Sequence, residues 1–235
     1  MIVYGRNPVR EALRGRREVT KMWAAPAVAG EEWLEGREVR ESGPEELEAL
    51  CGSPDHQGIC AEAAPYPYAD AESLLAREDA LVVCLDEVQD PHNLGAVCRV
   101  AETVGAAGVV LPERRAAEVT PAVCRASAGA VEHLAVARVR NLADWLGGAK
   151  ETGAWVYGAD AAAGVPYDRP DYRGRVVLVL GSEGRGLRRR VAGACDELVA
   201  LPLRGKIGSL NVSTAAAALL YGILHFRAAT LDRAP

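Results

Sequence analysis

"VVLVLGSEGRGL", residues 176–187, carries an unbroken apolar run straight into three glycines around Glu183. An apolar run without polar alternation suits a strand buried on both faces, the kind that builds parallel sheets. Glycines at its carboxyl end let the backbone approach a ligand closely. The same pattern recurs outward from this stretch, in "LVVCLDEV" (81–88), "GVVLP" (108–112), "HLAVARV" (133–139), "WVYGAD" (155–160) and "ELVALPL" (197–203). Helical stretches such as "LGAVCRVAETVG" (94–105) and "VTPAVCRASAGAVE" (119–132) lie between them. Apolar strands alternating with helices predict an α/β domain whose parallel sheet is covered on both faces.

Residues 1–64 read as a smaller α/β module. A helix is expected after Asn7-Pro8, a strand near Lys21 to Ala24, a helix near Glu31 and a strand near Glu38 to Glu41. "SGPEELEAL" (42–50) then starts a helix with Pro44 in its first turn, and "QGICAEAA" (57–64) is a strand. "PYPYADAESLLARED" (65–79) has the prolines and charge of a linker with a turn or two of helix. The larger domain is expected over 80–235.

The 235 residues include 49% hydrophobic and 25% charged side chains, a globular composition. No apolar run reaches the roughly 18 residues of a membrane span, and no apolar stretch follows the early arginines, so the expectation is a cytoplasmic protein without membrane contact. The six cysteines include no C-x-x-C pair, which argues against a zinc site or a disulfide framework. A net charge of -5 disfavours binding nucleic acid by bulk electrostatics. Local charge differs: Arg185 and Arg188 to Arg190 form one basic cluster, Arg204 with Lys206 another. Either alone reads as solvated surface, but both adjoin loops that could carry chemistry.

In the first such loop, "QDPHNLGAVCR" (89–99), Asn93 is placed to cap the following helix, with Arg99 nearly two turns on. The second is the glycine loop. It lacks the Lys-Ser/Thr of a phosphate-binding loop, and too little chain follows Gly181 for the further βα units of a nicotinamide fold. Glu183 would repel pyrophosphate, so a neutral or cationic ligand fits better. The third, "LPLRGKIGSLNVSTAAAALLY" (201–221), places Ser209, Asn211, Ser213 and Thr214 where a helix starts. Capping accounts for one of them, at about 1 kcal/mol. The rest are free to bond a ligand or the glycine loop.

"NLGAVCR", "LVLGSEGRGL" and "LPLRGKIGSLNVSTAAAALLY", in this order and spacing, resemble the three motifs of the SpoU, or TrmH-like, ribose 2′-O-methyltransferases of the SPOUT superfamily. "YGRNPVREAL" (4–13) and "HQGICAEA" (56–63) resemble the substrate-binding extension of the bacterial enzymes that modify a guanosine in 23S ribosomal RNA. The resemblance implies a parallel-sheet SPOUT domain with a C-terminal trefoil knot, an L30e-like N-terminal domain, a homodimer and S-adenosylmethionine as cofactor; no metal is implied. The matching motif positions imply cofactor contacts from Leu180, Gly181, Ser182, Gly184, Leu201, Leu203, Ser209, Leu210 and Asn211. Arg99 falls on the family's essential arginine, and Asn93, Glu183 and Asn211 on its polar catalytic positions. Ser182 stands where Ala or Asn is common, and the "LRGK" turn is more basic than usual.

The implied reaction is attack of a ribose 2′-oxygen on a sulfonium methyl group. A guanidinium is almost never neutral near pH 7, so Arg99 is expected to stabilise the developing alkoxide or grip a phosphate instead of acting as a simple base. Glu183 is expected to organise the site. RNA phosphates are expected to meet Arg185, Arg188, Arg204 and Lys206, with Arg6 and Asn7 as contacts of the N-terminal module, which would select the target. Transfer RNA is the alternative acceptor, a non-catalytic RNA-binding protein the alternative function, and a dinucleotide-dependent oxidoreductase a weaker rival.

Overall fold

A computed structural model describes residues 1–231, so the last four residues of the expected larger domain, 232–235, lie outside the described residues. Its elements are β1 (Ile2–Tyr4), α1 (Arg6–Arg14), β2 (Val19–Ala24), α2 (Pro26–Ala29), β3 (Arg40–Glu41), α3 (Pro44–Cys51) and β4 (Ile59–Ala63). There follow β5 (Leu81–Asp86), α4 (Pro91–Thr103), β6 (Gly108–Pro112), α5 (Pro121–Ala126), β7 (Val136–Val139), α6 (Leu142–Glu151), β8 (Trp155–Ala159) and β9 (Val165–Pro166). The chain finishes with β10 (Val176–Gly181), α7 (Arg189–Ala192), β11 (Glu197–Ala200) and α8 (Val212–Leu231).

Every apolar run named above becomes a strand of one parallel sheet, in the order β7-β6-β5-β10-β8-β11-β9. Burial on both faces explains the missing polar alternation. Val83 and Leu85 of β5 join the core formed with α4, α5 and α8, while Val82 and Cys84 pack with Leu142, Leu146 and Val191 of α6 and α7. The two-residue β9 is too short to leave a periodic signal. The expected helix over 119–132 is interrupted: α5 stops at Ala126, Ala128 takes φ +52°, and a 3₁₀ turn covers Ala130–Glu132. Near Glu31 there is no sustained helix, only α2 and a 3₁₀ turn at Glu32–Leu34.

The N-terminal module is a four-stranded sheet, β1-β4-β2-β3, antiparallel except for the β2–β3 pair. Residues 65–79, read from composition as a linker, are docked on the larger sheet. The Tyr66 hydroxyl donates to the carbonyls of Val131 (3.1 Å) and Leu134 (2.9 Å), the Tyr68 hydroxyl accepts from Val119 N (2.9 Å), and Ala69 N donates to Val136 O (2.9 Å). Val3, Val9 and Ile59 share one continuous core with Val123 and Val131. Beneath the linker, Arg17 and Glu132 form an ion pair with both side chains 1% exposed.

Helix starts correct one sequence expectation. Asn93 does not cap α4: the cap is Asp90, whose Oδ1 accepts from His92 N at 2.9 Å, and Pro91 takes the first helical position. Proline there loses no helical hydrogen bond, and Asn93 keeps its side chain for other partners. All six thiols are free, and burial pushes those of Cys98 and Cys124 up to about 12, so they stay protonated and behave as small apolar groups. In α8, Val212–Thr230 is long and apolar enough to cross a membrane by length and composition. Here Val212, Ala216, Leu219, Leu220 and Ile223 form the helix's core face.

Candidate active site

Three loops meet at the carboxyl ends of β5, β10 and β11. β10 ends at Gly181, in register with Asp86 of β5, and the chain folds back on itself with Gly186 N donating to Ser182 O at 2.9 Å. A Cβ on Gly181 would stand 2.1 Å from the Gly186 carbonyl carbon, so only glycine fits. Gly184 and Gly186 turn through φ +77° and +65°, the left-handed region glycine enters without penalty.

The loop is anchored behind by Arg188, which bears on an expected RNA contact. Its backbone N donates to Asp86 Oδ2 (2.8 Å), its Nε to Asp86 Oδ1 (2.7 Å), and Nη2 lies 2.6 Å from the same oxygen. Asp86 is fully buried, and its hydrogen bond holds the Arg188 pKa above the ordinary range. Arg188 is therefore held from one side by the fold, with its side chain still 44% exposed. Glu87 follows at φ +59°, a strained conformation for this residue, with Arg188 Nη1 at 3.5 Å and Arg115 Nη1 at 3.4 Å. Replacing Arg188 by Met keeps the backbone bond to Asp86 Oδ2 but leaves the buried Oδ1 without its guanidinium partner. The expected result is a loss of about 1–3 kcal/mol in urea unfolding together with weaker S-adenosylmethionine binding by calorimetry. Arg189→Ala, on an exposed side chain, should change neither.

Asn211 is the cap of α8. Its Oδ1 accepts from Ser213 N (2.9 Å), Ser213 Oγ (2.6 Å) and Thr214 N (3.3 Å). Its Nδ2 donates to Asn93 Oδ1 (3.0 Å) and to Glu183 Oε1, and Asn93 Nδ2 donates to the same Glu183 oxygen at 3.1 Å. Asn93, Glu183 and Asn211 thus come together from three separate motifs into one hydrogen-bonded cluster.

Beside the cluster lies a cavity of about 380 Å³. Of the expected cofactor contacts, Leu180, Gly181, Ser182, Gly184, Leu201, Leu203, Ser209 and Leu210 all line it. Asn211 does not, because its side chain turns into the polar cluster. Ala159, the last residue of β8, and Asp160 and Ala161 after it also form the wall and were missed in the sequence. The available signal was position: they lie at the carboxyl end of a parallel strand, where ligands bind. A second cavity of about 300 Å³ opens alongside, with Glu87, Gln89, Asp90 and Asn93 in its wall.

Arg99 is exposed on α4 and lines neither cavity. Arg185, Arg204, Lys206, Asn7 and Arg6 are also exposed, Arg6 with an ion pair to Glu31 of its own module. Among the described residues, no three or more His, Cys, Asp or Glu side chains gather as a metal site.

Residues 80–221 match the SpoU rRNA Methylase family, and residues 2–69 match the family described as RNA 2′-O ribose methyltransferase substrate binding. The chain belongs to the SpoU/TrmH family. It is 40% identical over 238 residues to the putative TrmH family tRNA/rRNA methyltransferase YacO of Bacillus subtilis, covering 96% of this chain and 95% of that one. In fold it is similar to the SpoU methyltransferase AviRb from Streptomyces viridochromogenes in complex with AdoMet, with TM-score 0.81, 26% identity, and coverage of 97% and 90% of the two chains. An AdoMet-bound rRNA methyltransferase from Sinorhizobium meliloti also aligns with TM-score 0.81 and 26% identity, covering 95% of this chain and 86% of that one. This SpoU/TrmH protein is an S-adenosylmethionine-dependent RNA methyltransferase.

The larger cavity fits that cofactor. Its volume lies in the ordinary small-ligand range, Leu180, Val199, Leu201 and Leu219 offer an apolar wall for a purine, and the tight Gly181 turn leaves backbone exposed to it. Asp160 and Glu183 supply negative charge suited to a ligand bearing ammonium and sulfonium groups. When bound, the cofactor supplies an electrophilic methyl group. The protein's part is to orient that group and to receive the acceptor beside it.

Proposed function

We propose that this enzyme methylates a ribose 2′-hydroxyl, that of a guanosine in 23S ribosomal RNA. The observation that carries the reading is the joining of Asn93, Glu183 and Asn211 at the mouth of a cavity walled by the cofactor-motif residues. Family descriptions that name rRNA and 2′-O ribose, and likeness to an rRNA methyltransferase along most of the chain, support this acceptor. The printed name of the Bacillus relative, tRNA/rRNA methyltransferase, keeps transfer RNA as the second reading.

The expected architecture belongs to the same proposal. β8 lies between β10 and β11 in the sheet, so the chain passes over β8 to join those two; membership of the SpoU family is what supports the trefoil knot. The mixed sheet flanked by α1 and α3 supports an L30e-like N-terminal domain that selects the RNA, with 1–64 as its extent and 80–235 as the catalytic domain. Ile207 (76% exposed), Leu210 (43%), Tyr221 (49%) and Leu224 (39%) leave apolar surface on the third loop and α8, which supports a homodimer seated there in preference to a membrane. RNA phosphates are met by Arg185, Arg188, Arg204 and Lys206, with Arg6 and Asn7 as contacts of the N-terminal module, and Arg99 meets the target only once the complex is assembled. Six free thiols suit a reducing cytoplasm.

Mapping of 2′-O-methyl positions in ribosomal and transfer RNA from cells with and without the gene tests the acceptor. One 23S guanosine should lose its mark. Loss confined to transfer RNA would shift the assignment to the second reading.

A further inference from the structure

Helix α5 touches α4 on one side and the N-terminal module on the other. A Cβ on Gly95 of α4 would stand 2.4 Å from Ala126 Cβ and 2.9 Å from Ser127 N, so the end of α5 lies against α4 close to Asn93. On the other side, a Cβ on Gly5 would stand 3.2 Å from Arg125 Nη1 and 3.4 Å from its Cδ. Gly5 turns β1 into α1, which opens with Arg6 and Asn7. The turn after α5 closes as tightly: a Cβ on Gly129 would meet Glu11 Cβ at 2.6 Å and Asn7 O at 3.1 Å. Packing this close leaves the junction no slack.

Arg125 is half-buried in that junction, its stem laid across Gly5. The carboxylates around it already have partners: Glu11 holds Arg14 and His133, Glu132 holds Arg17, and Glu31 holds Arg6. Among the described residues, the Arg125 guanidinium has no ion pair or hydrogen bond, and none of its nitrogens is sealed from the surface. Arg10, one turn along α1 from Arg6, is exposed and carries a second positive charge without an ion pair among the described residues. A guanidinium is a planar fork of donors whose matching partners are carboxylate and phosphate. Here the carboxylates are taken, and the substrate of this enzyme is an RNA.

We infer that Arg125 grips a phosphate of the RNA where the strand passes from the N-terminal module to the catalytic domain. The inference rests on the proposed reading that the module meets RNA through Arg6 and Asn7. Arg125 lies against the glycine that precedes those two residues, and its neighbour Ala126 lies against α4. A phosphate held there ties the module's grip to the place of the target beside Asn93. Arg125 lines neither cavity, so its part is to position RNA and not to touch the reacting atoms.

The test compares full-length wild type with Arg125→Gln, Arg125→Lys and Arg6→Gln. Each is measured by filter retention of RNA extracted from cells lacking the gene, across about 0.05 to 0.2 M KCl. Calorimetry with S-adenosylmethionine and urea unfolding accompany it. Arg125→Gln should bind that RNA about 10-fold more weakly, as expected when a hydrogen bond to a charged group is lost. Its slope of log affinity against log salt should shrink by about one, the mark of a single phosphate contact. Arg125→Lys keeps the charge and should keep the wild-type slope. Both variants should hold cofactor affinity within about twofold of wild type and keep the wild-type urea midpoint. RNA affinity within twofold of wild type in Arg125→Gln, or weaker binding with the wild-type slope, would overturn the phosphate contact. A lowered urea midpoint in Arg125→Gln would overturn it too, by making the arginine a tie between the modules. Arg6→Gln with unchanged affinity and slope would sink the module reading, whereas the slope of Arg125→Gln answers for the phosphate at Arg125 by itself.

Discussion

Gly181→Ala should abolish cofactor binding while the sheet stays folded. The added Cβ would lie 2.1 Å from the Gly186 carbonyl carbon, 2.3 Å from its oxygen and 2.4 Å from Leu187 N. All three are backbone atoms closed against the strand end by the Ser182–Gly186 bridge, so no flexible side chain can yield. Overpacking of this kind costs about 1–3 kcal/mol, and the movable partner is the loop itself. Its displacement carries Ser182, Glu183 and Gly184 away from the larger cavity. Calorimetry should show S-adenosylmethionine affinity down about 100-fold, equivalent to ~2.7 kcal/mol, and methyl transfer should fall to background. Gly147→Ala is the control: a Cβ there meets nothing within 4 Å on α6, and the change should stabilise the protein by about 0.5–1 kcal/mol. Wild-type affinity in Gly181→Ala would mean that the cofactor sits elsewhere.

Arg17→Met should destabilise the whole chain by about 3–5 kcal/mol in urea unfolding. Arg17 donates through Nε to Glu132 Oε2 at 2.9 Å and through Nη1 to Ala64 O at 3.1 Å, and its Nη2 pairs with Glu132 Oε1. Burial by itself lowers the Arg17 pKa, but the Glu132 hydrogen bond and charge more than reverse this and hold it raised, so the guanidinium stays charged. Methionine fills similar space and abandons the carboxylate in a site 1% exposed. The cost comes from that uncompensated charge, so Arg17→Met combined with Glu132→Leu should recover most of it. Because the pair joins the N-terminal module to the 3₁₀ turn after α5, the single variant should also expose the linker to protease. Equal stability of the single and double variants would show that the pair contributes nothing beyond packing.

Much of the fold was legible because parallel strands buried on both faces are written as apolar runs. Each run from "LVVCLDEV" to "ELVALPL" became a strand. Short or irregular pieces were not legible: β9 has two residues, and α5 breaks where Ala128 takes a positive φ, a tertiary demand with no propensity signature. Composition marked 65–79 as a linker with a turn or two of helix, and a 3₁₀ turn covers Glu72–Leu75, but its docking was not legible, since its two tyrosines are placed by hydrogen bonds to segments more than fifty residues away. Capping was assigned one turn too late on α4. Asp90 precedes a proline, the stronger start signal, and that choice releases Asn93 for the cluster with Glu183.

The sequence by itself determined the class of fold, the three motifs and the residue types of the cofactor cavity, because these depend on local pattern and on a recurring order of loops. Only the tertiary structure decided how those residues are used. Arg188 reads in the sequence as one arginine of a basic cluster, and only the packed chain shows that buried Asp86, about a hundred residues earlier, holds it. Asn211 reads in the sequence as a motif position beside a cofactor, and only the packed chain shows its amide bonded to Asn93 and Glu183. Both outcomes turn on which polar groups the packed chain removes from water. A buried carboxylate or amide must find a partner, and that partner is chosen by position in space, which no local run of residues records.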